Sequence, residues 1–144
     1  MTSINRSALV NYSAQQMYDL VNDIAHYPQF MQGCKSARVI SQTEAELVGE
    51  LTLAKAGIKY SFTTRNTLTP HSKIDMQLEE GAFSHFQACW TFTALKEDAC
   101  KVSLDMEFEF SFGLVDFAME KLFSSSANSQ MDSLVSRAHI IYGQ

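Results

Sequence analysis

Four histidines and three cysteines are the residues of this chain best suited to proton transfer or nucleophilic attack. Their spacing argues for neither. His26, His71, His85 and His139 stand apart, and none shares a metal-ligating pattern with another histidine or a carboxylate. No H-E-x-x-H, phosphate-binding glycine loop, G-x-G-x-x-G after a strand, or G-x-S-x-G occurs. His85, beside a glycine-aromatic turn, has the chemistry of an acid–base group but the setting of a surface residue. Glu107 and Glu109 share one face of a strand, and their neighbours mark that face as solvated. Cys34 and Cys89 would act as nucleophiles only with a base that the sequence does not supply. Binding therefore outranks catalysis, and the expectation is that the protein is not an enzyme.

Composition narrows the binding partner. A net charge of -5 argues against general nucleic-acid binding, which needs a basic face to displace counterions, so no DNA partner is expected. Cys34, Cys89 and Cys100 are odd in number and lack C-x-x-C spacing, which points to a reducing cytoplasmic setting and no disulfide framework. No run approaches the roughly 20 apolar residues of a membrane span. The N-terminal residues lack the basic and apolar regions of a signal peptide. At most, peripheral contact with the inner membrane is expected. The length of 144 residues suits a single domain.

The elements that would position a binding site read clearly. Ile4 to Val10 alternates as a first strand, with Arg6 the exception on its apolar face. Ser13 and Gln16 form a capping box ahead of Met17, Leu20, Val21 and Ile24 at helical spacing. Pro28 disfavours helical geometry at Tyr27, which predicts that a second short helix restarts there or later. Strand-like runs follow at 36–42, 44–54, 58–68, 73–79, 86–94 and 102–112, separated by turn signals at Ala56-Gly57, Pro70-His71-Ser72 and Glu80-Gly81. The last run places Val102, Leu104, Met106, Phe108, Phe110 and Phe112 on one face and Ser103, Asp105, Glu107, Glu109 and Ser111 on the other. Such alternation describes an antiparallel sheet with one wet face. From Leu114 to Ile141 the period becomes helical, with Leu114, Phe117, Ala118, Leu122, Met131, Leu134, Val135, Ala138 and Ile141 along a stripe. Its middle, Ser124 to Gln130, is small and polar. It reads equally as a break between two helices or as one helix holding space open beneath it.

This order predicts an α+β fold: a curved antiparallel sheet of about seven strands around a long C-terminal helix, with two short helices after strand 1. A helix of about 28 residues is ~42 Å long and ~10 Å across. Seven strands span ~30 Å, so one helix leaves part of the sheet uncovered. Tyr27, Phe30 and Met31 lie in the loop that would cover the remainder. An apolar cavity between sheet and helix is the expected site. Its lining would be Tyr27, Phe30, Tyr60, Phe62, Thr64, Asn66, Trp90, Phe92, Met106, Phe108, Phe110, Leu122 and Met131.

The stretches "YSAQQMYDLVNDIAHYPQF", "FTTRNTL", "WTFTAL", "DACKVSLDMEFEF" and "RAHIIYG" resemble the coenzyme Q-binding and ribosome-association toxin family. That family belongs to the START-like, helix-grip superfamily labelled polyketide cyclase/dehydrase and lipid transport. The resemblance runs through nearly the whole chain in order. It implies one START-like (SRPBCC) domain over residues 1–144 and a bacterial source. One departure is visible: relatives often carry Leu-Pro-Trp-Cys where this chain has Met31-Gln32-Gly33-Cys34, and Gly33 frees the loop backbone.

The resemblance implies two functions. The first is a chaperone for ubiquinone or a related isoprenoid lipid that supports respiration, the quinone being a ligand and not a cofactor. Tyr60, Thr64, Asn66 and Arg6 would meet the quinone carbonyls, and the tail would lie along Phe92, Met106 and Phe108 near Leu122 and Met131. The alternative is a toxin that binds the large ribosomal subunit and blocks subunit joining. Lys55, Lys59, Arg65 and Lys73 would then form an outer basic patch. A cyclase-like enzyme is a third reading, on superfamily analogy alone.

Overall fold

The computed structural model describes residues 1–55, 57–111, 113 and 117–143. Strand β1 (Thr2–Val10) leads to helix α1 (Ala14–Asn22) and a 3₁₀ helix (Ile24–Gln29). Six strands follow: β2 (Cys34–Gln42), β3 (Glu46–Lys55), β4 (Ile58–Thr69), β5 (Lys73–Glu80), β6 (Phe83–Lys96) and β7 (Ala99–Phe110). Helix α2 (Phe117–Tyr142) closes the described fold. The strands form one antiparallel sheet in the order β1-β7-β6-β5-β4-β3-β2. Register shifts in β2, between β4 and β5, and in β6 mark bulges, which bend a sheet and increase its twist.

Local chemistry explains most of these elements. The Ser13 hydroxyl accepts a hydrogen bond from the Gln16 amide at 3.1 Å, and the Ser13 amide donates to the Gln16 side chain at 2.9 Å. Two free amides at the start of α1 are thereby satisfied. On β7, Val102, Leu104, Met106 and Phe108 are buried while Lys101, Asp105, Glu107 and Glu109 face water. The predicted α+β helix-grip architecture is the one observed.

Two expectations change, and one open alternative is decided. The 3₁₀ helix starts at Ile24 and passes through Pro28 instead of restarting at Tyr27. Its anchor is the buried Tyr27 side chain, whose hydroxyl donates to the Val21 carbonyl, and this tertiary contact outweighs the bias of the residue before proline. Helix α2 is unbroken across Ser124 to Gln130. Asn128 donates to the Ser124 carbonyl and Ser129 to the Ser125 and Ser126 carbonyls, so the polar side chains bond to the helix itself. The buried stripe keeps Leu122, Met131, Leu134 and Ala138 of the expected one, adds Phe123 and Ala127, and leaves out its two ends. Leu122, Phe123, Ala127, Met131, Leu134 and Ala138 face the sheet, whereas Phe117 is 77% and Ile141 49% exposed, and Ala118 also faces solvent. Leu114 and Phe112, placed on apolar faces by the sequence, lie outside the described residues.

The 3₁₀ helix rests on β3 at Gly49, where an added Cβ would come 2.2 Å from Ile24 Cδ1. We predict that Gly49→Ala lowers stability by about 1–3 kcal/mol through overpacking. Ile24→Val removes that Cδ1, so the double variant should lose at least ~1 kcal/mol less than the sum of the single losses. Urea denaturation of the four proteins measures this.

Candidate functional site: the aromatic interior and its rim

The concave face of β4, β6 and β7 brings Phe62, Phe83, Phe86, Phe108 and Phe110 together, and α2 inserts Phe123 among them. The Phe123 ring lies 4.7 Å from Phe108, 5.1 Å from Phe83, 5.5 Å from Phe62 and 5.6 Å from Phe110, in edge-to-face contacts. Such pairs suit the aromatic quadrupole. Tyr60 stacks on Phe62, and its hydroxyl accepts from the Ala82 amide at 2.9 Å.

The void left beneath α2 is about 40 Å³. That holds a water or two. It is far below the roughly 300 Å³ at which ligand pockets begin. Of the expected lining residues, Tyr27, Phe62 and Met106 border this void, as does Met31 of the expected covering loop; Cys34, Phe86, Phe123, Ser126 and Gln130 border it too, and the sequence reading left them out. The others lie elsewhere. Trp90, 1% exposed, stacks on Phe92, which meets Tyr18 of α1 in a separate part of the core. Phe108 and Phe110 edge a surface hollow with Met1 and Phe117. Met131 is buried on α2, and Leu122 lines an outer groove. Phe30 packs on Tyr27 and lies under the Arg137 guanidinium, 5.2 Å from its ring centre.

The polar groups expected to meet a quinone already have partners. The Thr64 hydroxyl donates to the Asn66 side-chain oxygen Oδ1 at 2.9 Å, with both residues buried. Arg6 reaches across to Asn128 of α2 at 3.0 Å. The loop from Met31 to Cys34 closes on the helix. The Ser126 hydroxyl donates to the Gln32 carbonyl at 2.8 Å, and Gly33 (φ +82°) lies against Leu122 and Ser126. Outside this contact lies a groove of about 550 Å³ between Gln32-Gly33, the end of β3 and the first turns of α2.

The four cations predicted as one outer patch are not gathered. Arg65 is held between Glu46 and Glu79, and its pKa is raised by the Glu79 hydrogen bond and the Glu46 charge. Lys73 lies 3.4 Å from Asp75. Lys59 and Arg65 are six positions apart on β4, about 20 Å of strand. Lys55 lies at the groove, level with inward Ile58, and not on the outer face.

The groups suited to nucleophilic or acid–base chemistry do not converge. Burial pushes the Cys34 thiol from 9.0 up to about 11, and it also raises Cys89 and Cys100. These thiols are protonated and unreactive near neutrality. His26 pairs with Asp23 at 2.6 Å, His85 with Glu107 at 3.5 Å and His139 with the Tyr12 hydroxyl at 2.7 Å, each at the surface. Among the described residues, no three His, Cys, Asp or Glu side chains gather as a metal site, and no helix is long and apolar enough to cross a membrane.

The model of the polyketide cyclase/dehydrase and lipid transport family matches residues 10–135. The chain belongs to this family. Other family members carry more specific names. The ribosome association toxin RatA of Vibrio cholerae is 44% identical over 144 residues, covering 100% of both chains. RatA of Pseudomonas aeruginosa is 42% identical over 142 residues and 99% of both. The mitochondrial coenzyme Q-binding protein COQ10 of Drosophila melanogaster is 24% identical, over 94% of this chain and 62% of that protein. Solved relatives share the family fold at lower identity. A START superfamily protein of Mycobacterium smegmatis superposes with a TM-score of 0.77 at 17% identity, over 96% of this chain and 98% of that one. The Zhui aromatase/cyclase of Streptomyces sp. R1128 gives 0.78 at 14%, over 98% and 96%.

Phe123→Ala should cost about 3–5 kcal/mol, because it removes a ring from a packed cluster and leaves a cavity. Urea denaturation tests this. A second expectation concerns pH. Burial raises Tyr18, Tyr27, Tyr60 and Tyr142 above their ordinary 10.0, and the three cysteines above 9.0. The folded state then holds these protons after the unfolded chain has released them. Their contribution to stability is complete below pH ~9 and falls as pH rises through 9–10 and beyond. Thermal melting points measured from pH 7 to 11 should decline above pH 9.

Proposed function

We propose that this protein acts by associating with the ribosome, as a regulator of the ribosome association toxin type, through its surface and not through catalysis. One observation carries this reading: identity of 42–44% to proteins bearing that name, over 99–100% of both chains. The filled interior agrees with it. With Phe123 among the sheet aromatics, the void of about 40 Å³ leaves no room for a quinone ring and isoprenoid tail. The finer proposal is that the protein binds the large subunit and occupies surface the small subunit needs. A stable contact buries about 800 Å² on each partner, close to a tenth of the 7784 Å² this chain exposes.

Quinone binding is the second reading. It is supported by the apolar walls of the interior, by a loop held to α2 by the Ser126–Gln32 hydrogen bond, and by the distant coenzyme Q-binding relative. It requires Phe123 to swing out of its cluster. Such displacement is expensive in a close-packed core.

Sucrose-gradient profiles of overexpressing cells test the first reading. Overexpression should lower the ratio of joined ribosomes to free subunits at least about twofold, with the protein sedimenting beside the large subunit. An unchanged ratio with all the protein at the top of the gradient would refute it.

A further inference from the structure

The structure sorts the eleven lysines and arginines of this acidic chain by what they touch. Arg65, Lys73 and Arg38 are committed to carboxylates. Arg6 and Arg137 donate to the side-chain amides of Asn128 and Gln29. The remaining six are lysines with no carboxylate within 4.0 Å among the described residues. Lys96 and Lys101 lie at the β6–β7 hairpin. The other four meet at the opposite end of the sheet.

That grouping follows from the strand register. Lys35 follows Cys34, which pairs with Leu53, and Lys55 ends β3 two residues later. Lys59 is paired with Ala54 across the β3–β4 hairpin. Lys121 of α2 faces Lys55 across the 550 Å³ groove. The backbones of β2 and β4 are about 10 Å apart, so four ammonium groups ring one end of the molecule. Phe117, 77% exposed, precedes Lys121 by one helical turn on the same face. The β7 half of the convex face carries the opposite charge in Asp105, Glu107 and Glu109, and Glu109 with Glu120 also borders the hollow shared by Phe117 and Lys121.

We infer that this basic end, formed by Lys35, Lys55, Lys59 and Lys121 around the groove, contacts the phosphate backbone of ribosomal RNA. The inference rests on the ribosome-association reading above. Its chemistry is distributed: Lys55 lies at the concave rim and Lys59 on the convex face, so the four cannot converge on one small anion. A polyanion with repeated phosphates can meet them all. Lysine reads such a backbone as a point charge without selecting sequence. Phe117 adds an exposed ring for an unstacked base. The acidic β7 half is repelled by the same RNA, so the charge asymmetry orients the approach.

The test compares K55Q/K121Q with K96Q/K101Q. Each removes two positive charges, and all four side chains are exposed, so melting points should match wild type. Binding to purified large subunits is measured by sedimentation across a salt series. At about 100 mM salt, K55Q/K121Q should bind roughly tenfold more weakly, and its log–log salt dependence should be shallower by about 1.5. K96Q/K101Q should keep wild-type values. If wild type binds and the two variants weaken equally, or neither weakens, the assignment of this end is overturned while the ribosome reading stands. If wild type binds anionic phospholipid vesicles and not large subunits, both fall.

Discussion

Insertion of the Phe123 ring into the aromatic cluster of β4, β6 and β7 is the contact on which the arrangement of this protein depends. It fixes the rotation of α2 about its own axis. With Phe123 pointing into the sheet, Ala127, Met131, Leu134 and Ala138 follow along the same face at helical spacing, and the small Ala127 lets the helix approach closely. The same ring fills the space that an uncovered sheet would leave. The two roles cannot be separated, because a close-packed interior has no slack to hold a ring and a ligand at once.

Closure of the loop onto the helix follows from that rotation. Ser126 is three residues after Phe123, so it emerges at the edge of the buried stripe, where its hydroxyl meets the Gln32 carbonyl. Gly33 adopts a positive φ against Leu122 and Ser126. The aromatics of the preceding segment have a related purpose. Tyr27 is an anchor bonded to the end of α1, and Phe30 lies beneath Arg137 of α2. This segment ties the two helices to the open end of the sheet, beside the groove lined by Lys55 and Lys121.

Charge is organised as strongly as packing. The chain is acidic overall, yet the lysines with no carboxylate partner among the described residues fall mainly at one end, while carboxylates neutralise Arg38 on the edge strand β2, Arg65 on β4 and Lys73 at the start of β5. Exposed ion pairs of this sort contribute little to stability. Their larger effect is on the distribution of charge, since with Arg38, Arg65 and Lys73 paired, four of the remaining lysines lie at the β3–β4 end.

The sequence by itself determined the seven strands, the capped first helix, the long last helix and the wet and apolar faces of β7. These are local matters: a period of two or 3.6, a Ser–Gln box, turns at glycine and proline. It also carried the family resemblance that the full-length relatives support. Only the tertiary structure decided what each face meets. The stripe read from the sequence held Leu122, Met131, Leu134 and Ala138 but missed Phe123 and Ala127, whose burial depends on the sheet aromatics they meet. Whether inward aromatics enclose a cavity or fill it depends on one ring from an element far along the chain. Which lysines remain unpaired depends likewise on strand register, which sets Arg65 between Glu46 and Glu79 and brings Lys55 beside Lys121. Periodicity specifies the direction of a side chain relative to its own element; contact and charge pairing are properties of two elements placed together.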